Sequence, residues 1–175
     1  MNDQLNTNLN TVNDWLKFAE AKLTVLITVN GAALLAGGQL ILLSKLEYYV
    51  NLAIIFFIVL VFVSTLCALI GILPRTKNIN KSRFSRIIPG ENLLFYGVIS
   101  KYSTQEYLDN FNNMIGRTSP ANAYDFNVAE QTVINSRICA WKYFVFGIAI
   151  RLSFYGMILC GGTLVIGYII NSKHS

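Results

Sequence analysis

LAIIFFIVLVFVSTLCALIGIL, residues 52–73, carries no charged side chain in 22 consecutive positions. At 1.5 Å of rise per residue, a helix of that length exceeds a hydrocarbon core of about 30 Å. A lone segment in lipid satisfies its backbone hydrogen bonds by becoming a helix, so the stretch reads as a membrane span. Upstream, LTVLITVNGAALLAGGQLILL, residues 23–43, is uncharged over 21 positions and reads as another. Between them SKLEYYVN, residues 44–51, suits a tight helical hairpin. Tyr48 and Tyr49 fit the interfacial aromatic belt there.

Downstream, LSFYGMILCGGTLVIGYII, residues 152–170, lies between Arg151 and Lys173 and is the third span. A charge at the bilayer centre costs about 2.5–3.5 kcal/mol or more, so Arg151 is expected near the interface. The helix itself is expected to start much earlier, at about Asn127. Asp125 or Asn127 would cap it, and Val128, Val133 or Ile134, Ile138 and Trp141 would form a rough stripe.

Composition agrees. Hydrophobic residues make up 54% of the 175 and charged residues 13%, about half the ~25% usual in soluble domains. A chain this short has no core large enough to hide so much apolar surface, so the excess faces lipid or an oligomer interface. The start, MNDQLNTNLNTVNDWLKF, has no basic segment before a short apolar core, so a cleaved signal peptide is not expected. Cys67, Cys139 and Cys160 are odd in number and imply no disulfide framework.

Residues 8–22 read as an amphipathic helix with Val12, Trp15, Leu16, Phe18 and Ala19 on one side and Thr11 or Asn13 as cap. The middle of the chain is polar. Arg75, Lys77, Lys81, Arg83 and Arg86 form a basic run without an acid, followed by the turn signal Pro89-Gly90. Ser103-Thr-Gln-Glu106 is a capping box, which predicts a helix over 104–114 ended by Gly116. The expected organisation is therefore an all-α membrane protein of five segments. They are an N-terminal amphipathic helix (1–22), a two-helix transmembrane hairpin (23–73), a basic cytoplasmic loop region (74–126), a long helix ending in the third span (127–171) and a tail (172–175).

Ten of the 14 lysines and arginines fall from Arg75 to Arg151, against five of the nine acids, so this stretch holds the whole net charge of +5. Its first explanation is the excess of cations on cytoplasmic loops. That puts the N-terminus and residues 74–150 in the cytoplasm, and the hairpin tip and tail outside. The same charge also suits an anionic ligand or anionic headgroups.

Catalytic chemistry has little to work with. His174 is the single histidine, no His/Cys/Asp spacing suits a metal, and no glycine-rich phosphate loop precedes a lysine. No catalytic residue, metal or cofactor is assigned, and nothing points to nucleic acid. Within the spans, Gly156, Cys160, Thr163 and Gly167 share one face of the third helix. Ala32 and Ala36, or Ala33 and Gly37, share a face of the first. Small faces let helices approach closely, within one chain or between copies of a homo-oligomer. Asn30 and Gln39 are amides in hydrocarbon and need partners, either between helices or along a polar pathway. Arg75, Arg83, Arg86 and Lys101, with Phe95 and Tyr96, supply phosphate-binding forks and stacking rings, the two ingredients of a nucleotide site. Headgroup contact serves the three arginines equally well.

Four features in order carry a family resemblance. They are the first span with its internal Asn30-Gly31, the second ending in Leu-Pro74-Arg75, the segment ENLLFYGVISKYSTQEYLDNF, and the last helix INSRICAWKYFVFGIAIRLSFYG. Over about 20–171 the chain resembles the transmembrane effectors of the Pycsar anti-phage system. The resemblance implies a bacterial inner-membrane effector, with a partner cyclase that makes cyclic CMP or cyclic UMP on infection, and membrane impairment as the outcome. The chain departs from the pattern in having no room for a fused nucleotide-binding β-roll in its loop. Binding across an oligomer interface and sensing by another protein both stay open. The competing reading is a constitutive small channel or a structural subunit of a membrane complex.

Overall fold

The computed structural model describes residues 3–43, 48–74, 88 and 90–174, and every regular element among them is helical. They are α1 (Asp3–Leu43), α2 (Tyr48–Ile72), α3 (Tyr96–Ile99), α4 (Thr104–Met114) and α5 (Ala123–His174). Three, over Asp3–Leu42, Tyr48–Ile72 and Ala123–Gly167, are long and apolar enough to cross a membrane. The all-α, three-span expectation holds.

The long helices bury one seam each. In α1, Leu5, Val12, Ala19 and Leu26 recur every seven residues and are all buried. In α2 the buried residues are Val50, Ile54, Val61, Ser64, Ala68 and Gly71. These spacings of three, four and seven follow the 3.5-residue period that keeps a helix seam facing its neighbours. The seam explains why α1 starts at Asp3, upstream of the expected residue 8 and of the expected caps Thr11 and Asn13. Leu5 and Asn8 are already buried, so packing draws the helix upstream. The two expected caps serve otherwise: Thr11 donates to the Thr7 carbonyl, and Asn13 accepts from Asn135.

The chain divides into two compact units, one of residues 1–20 and 74–143, the other of 21–73 and 144–175. In the first, a core of Leu5, Val12, Ile99, Tyr107, Leu108, Phe111 and Val133 joins α1, α4 and α5. Its local structure follows the sequence closely. Ser103 and Glu106 form both halves of the predicted capping box, and α4 runs Thr104–Met114 as expected. Gly116 ends it at φ 68°, and Gly90 takes φ 83° where Glu91 N–H bonds the Ile88 carbonyl. Both are conformations that glycine adopts at no steric cost. α5 begins at Ala123, four residues before the expected Asn127, because Asn122 is the cap. Asn122 Oδ1 accepts from Asp125 N–H at 2.8 Å, and Asp125 Oδ2 accepts from Asn122 N–H at 3.0 Å.

In the second unit glycines mark the close contacts. A Cβ on Gly71 would lie 3.0 Å from Leu23 and 3.1 Å from Val145, and one on Gly156 would lie 3.1 Å from Phe57. One layer up from Gly71, Leu26, Ala68 and Ala149 pack together. Val145 thus stands level with Leu23 and Gly71, and Arg151 lies six residues further along α5.

Candidate functional site

Four rings meet in the first unit. Phe95 and Tyr96 lie 4.5 Å apart, Trp15 stands 5.7 Å from Tyr96 and edge-on to Phe95 at 6.5 Å, and Tyr143 stacks on Tyr96 at 5.2 Å and 15°. Phe95 is extended and Tyr96 opens the single turn of α3, anchored by buried Ile99. Gly97 makes room for the fold-back, since a Cβ there would sit 2.6 Å from the Phe95 ring. Trp15 and Phe95 keep 40% and 41% of their surface exposed, so the cluster has open aromatic faces. Burial, with Cys139 and Tyr143 beside it, pushes the Tyr96 hydroxyl up to about 12. It stays a neutral hydrogen-bonding group at neutral pH. Burial likewise raises the Cys139 thiol to about 12, which removes it as a nucleophile.

The unit's described cations are all engaged. Lys17 pairs with Asp14, Lys101 with Glu91, Arg117 with Asp125 and Lys142 with Glu20. Arg137 donates to the carbonyls of Ser100 and Tyr102. Lys101, expected to contact an anion, is thus neutralised by a largely buried carboxylate whose second oxygen, Oε2, has no hydrogen-bond partner. An arriving phosphate would have to displace Glu91 or meet its charge. Of the expected nucleotide contacts, the structure brings Phe95 and Tyr96 together. Arg75, Arg83 and Arg86 lie outside the described residues. A hollow of about 450 Å³ along α1, lined by Asn10, Asn13, Asp14, Leu16, Lys17 and Glu20, offers two acids to one lysine and disfavours an anion. Among the described residues no group of three His, Cys, Asp or Glu is placed to hold a metal.

The second unit has a polar centre. Asn30 is fully buried. Its Nδ2 donates to Ser64 Oγ at 3.0 Å, and its Oδ1 accepts from Ser153 Oγ at 2.8 Å. Ser64 Oγ donates to the Ala149 carbonyl at 2.7 Å and accepts from Ser153, also at 2.8 Å. Ser153 has one proton, which it shares between the two. Three spans are thereby joined through Asn30, and interhelical bonding is what this amide does here. Gln39 is exposed instead.

The small residues divide in the same way. Gly156 packs on Phe57 and Leu60, a Cβ on Gly167 would lie 3.5 Å from Val50, and Cys160 and Thr163 are partly buried between them. That face of α5 serves packing inside the chain. On α1 it is Gly37, packed on Ile58, that faces inward, while Ala32 and Ala36 are exposed. Trp15 and Tyr143 were missed as cluster members, and Ser64 and Ser153 as partners of Asn30. Their distance along the chain hid them, although Trp15 already stood out on the amphipathic side of its helix.

A family model described as the Pycsar effector protein domain matches residues 4–168, which takes in both units. No curated protein and no solved structure matches the chain.

Proposed function

The chain belongs to the Pycsar effector family, and from that premise we propose that it impairs the bacterial inner membrane when a partner cyclase delivers a cyclic pyrimidine mononucleotide. A multi-pass membrane protein acting as an anti-phage effector needs a receiving part and an acting part. The unit of residues 1–20 and 74–143 is the receiver. Its open rings, Trp15 and Phe95, take the pyrimidine by stacking, and the basic run of Arg75, Arg83 and Arg86 takes the phosphate. The three spans are the acting part, and the chain itself does no catalysis. The N-terminus and the receiver lie in the cytoplasm, where the nucleotide is made.

The observation that carries this reading is the family match across residues 4–168 of a chain with three helices able to cross a membrane. A ligand shifts an equilibrium only by its difference in affinity for the two states. The nucleotide must therefore hold the receiver in an arrangement that the resting protein rarely visits. In cells co-expressing a pyrimidine cyclase, a potential-sensitive dye should report depolarisation, and expression without the cyclase should be harmless. A polarised membrane under nucleotide load would refute the reading and favour a constitutive channel or structural subunit. Replacing Arg83 and Arg86 by glutamate should weaken nucleotide binding by calorimetry. Unchanged affinity removes both from the site.

A further inference from the structure

Ahead of its uncharged run, α1 presents two unlike sides to its surroundings. Trp15, Phe18, Lys22, Val25 and Val29 follow one another at spacings of three and four, which makes them one stripe along the helix. All five are exposed, Phe18 and Val25 each at 62%. Asn10, Asp14 and Lys17 run along another side and are exposed as well. Val25 and Val29 belong to the first span, where exposed surface meets acyl chains. The stripe is therefore continuous with a lipid-facing surface, and its two rings mark where it leaves the hydrocarbon. The polar side has no such continuation of rings.

Height along the helix agrees. At 1.5 Å per residue, Phe18 lies about 7.5 Å ahead of Leu23, which opens the uncharged run, and Trp15 about 12 Å. The headgroup layer on each side of the hydrocarbon is roughly 5–8 Å thick. Phe18 thus stands within that layer and Trp15 at its outer edge. A tilt of about 20°, the average for a membrane helix, lowers whichever side leans toward the bilayer. The ring side gains by leaning, because aromatic groups are favoured among headgroups, whereas Asn10, Asp14 and Lys17 are well solvated in water. Phe95, edge-on to Trp15 at 6.5 Å and 41% exposed, widens the same apolar patch. We infer that the Trp15 and Phe18 side of α1, with Phe95 beside it, rests in the headgroup layer of the bilayer that the chain crosses, while the side of Asn10, Asp14 and Lys17 faces water. Trp15 and Phe95 are also the rings proposed above to stack on the pyrimidine, so lipid and nucleotide compete for them. The lipid contact itself needs no nucleotide.

The test uses the full chain in phospholipid vesicles without nucleotide, so its failure is separate from failure of the proposed trigger. A fraction of the lipid carries a nitroxide on the choline headgroup, which quenches nearby tryptophan. Trp141→Phe leaves Trp15 as the one tryptophan. Adding Trp15→Phe with either Phe18→Trp or Lys17→Trp moves the probe to one side of the helix or the other, at heights about 1.5 Å apart. Both native side chains are exposed, so each replacement has room. Tryptophan at 15 and at 18 should be quenched by the lipid at least about threefold more than at 17, and iodide in the water should give the reverse order. Equal lipid quenching at 17 and 18, or weaker quenching at 15 than at 17, overturns the docking. Should the relocated probes unfold the unit, the Trp141→Phe chain decides alone. Trp15 quenched by the headgroup nitroxide and shielded from iodide upholds the contact, and the opposite pattern overturns it.

Discussion

The two units differ in whether the polar groups they bury include ion pairs. In the unit of residues 1–20 and 74–143, charges are matched in pairs around an apolar core, as at Arg117–Asp125 and Lys101–Glu91. Among the described residues of 21–73 and 144–175, the buried polar residues are Asn30, Ser64 and Ser153, and large apolar side chains such as Leu35, Leu42 and Phe62 point outward. The first arrangement suits water, where removing apolar surface from solvent drives folding. The second suits lipid, where tails are as apolar as leucine and helices associate through close contact and hydrogen bonds. The lesson is that the same kind of substitution should cost different amounts in the two places.

The largest effect is expected at Asp125. Its side chain is 2% exposed and that of Arg117 12%, with 2.7 Å between them. Asp125→Ala leaves a largely buried guanidinium without its carboxylate, holding only Ser119 Oγ and the Pro120 carbonyl, and should cost about 3–5 kcal/mol, read as lost hydrogen-exchange protection across α4 and the start of α5. The hydrogen bond from Arg117 holds the Asp125 carboxyl below its usual range. A carboxyl with a depressed folded pKa contributes stability that is whole above its unfolded value of about 3.9 and is lost as pH falls through the folded one. Protection in this unit should accordingly drop in acid below about pH 4, and Asp125→Asn should flatten that dependence. An unchanged acid profile in Asp125→Asn would assign the sensitivity to another group.

A middle-sized effect is expected at Gly71. Leucine there would collide with Leu23 and Val145. Overpacking of this kind costs about 1–3 kcal/mol, measurable as a lower melting temperature in detergent. A neutral outcome would show that the helices of this unit are looser than their glycine contacts suggest.

The smallest effect is expected at Ser64, although Ser64→Ala removes three of the hydrogen bonds around Asn30. Hydrogen bonds between helices in bilayers average about 0.6 kcal/mol and reach about 1.7, because the separated helices find other partners. A loss larger than that of Asp125→Ala would overturn the contrast between the units and make the polar centre the main stabiliser.

What could be read from the chain beforehand follows the same division. The spans were legible because uncharged runs of 21 and 22 residues have few other uses. The capping box of Ser103 and Glu106, with Gly116 beyond it, was legible because all its parts are local. Tertiary packing decided the rest. The start of α1 moved upstream because Leu5 and Asn8 are buried, which no cap residue announces. The register of α5 against the other two spans was hidden as well, because the contact of Gly71 with Leu23 and Val145 joins three distant parts of the chain. The ring cluster was half visible at Phe95 and Tyr96, while Trp15 and Tyr143 join it from distant parts of the chain. The expected contacts Arg75, Arg83 and Arg86 lie outside the described residues, and among the described cations of that unit each already has a partner.

Whether a nucleotide alone makes this chain breach a membrane is tested most directly by purified protein in dye-loaded lipid vesicles. Cyclic CMP or cyclic UMP added outside protein of mixed orientation should release the dye, and a 5′-monophosphate of the same base should not. Vesicles that stay sealed under either cyclic nucleotide, with the protein shown to be inserted, would contradict direct triggering.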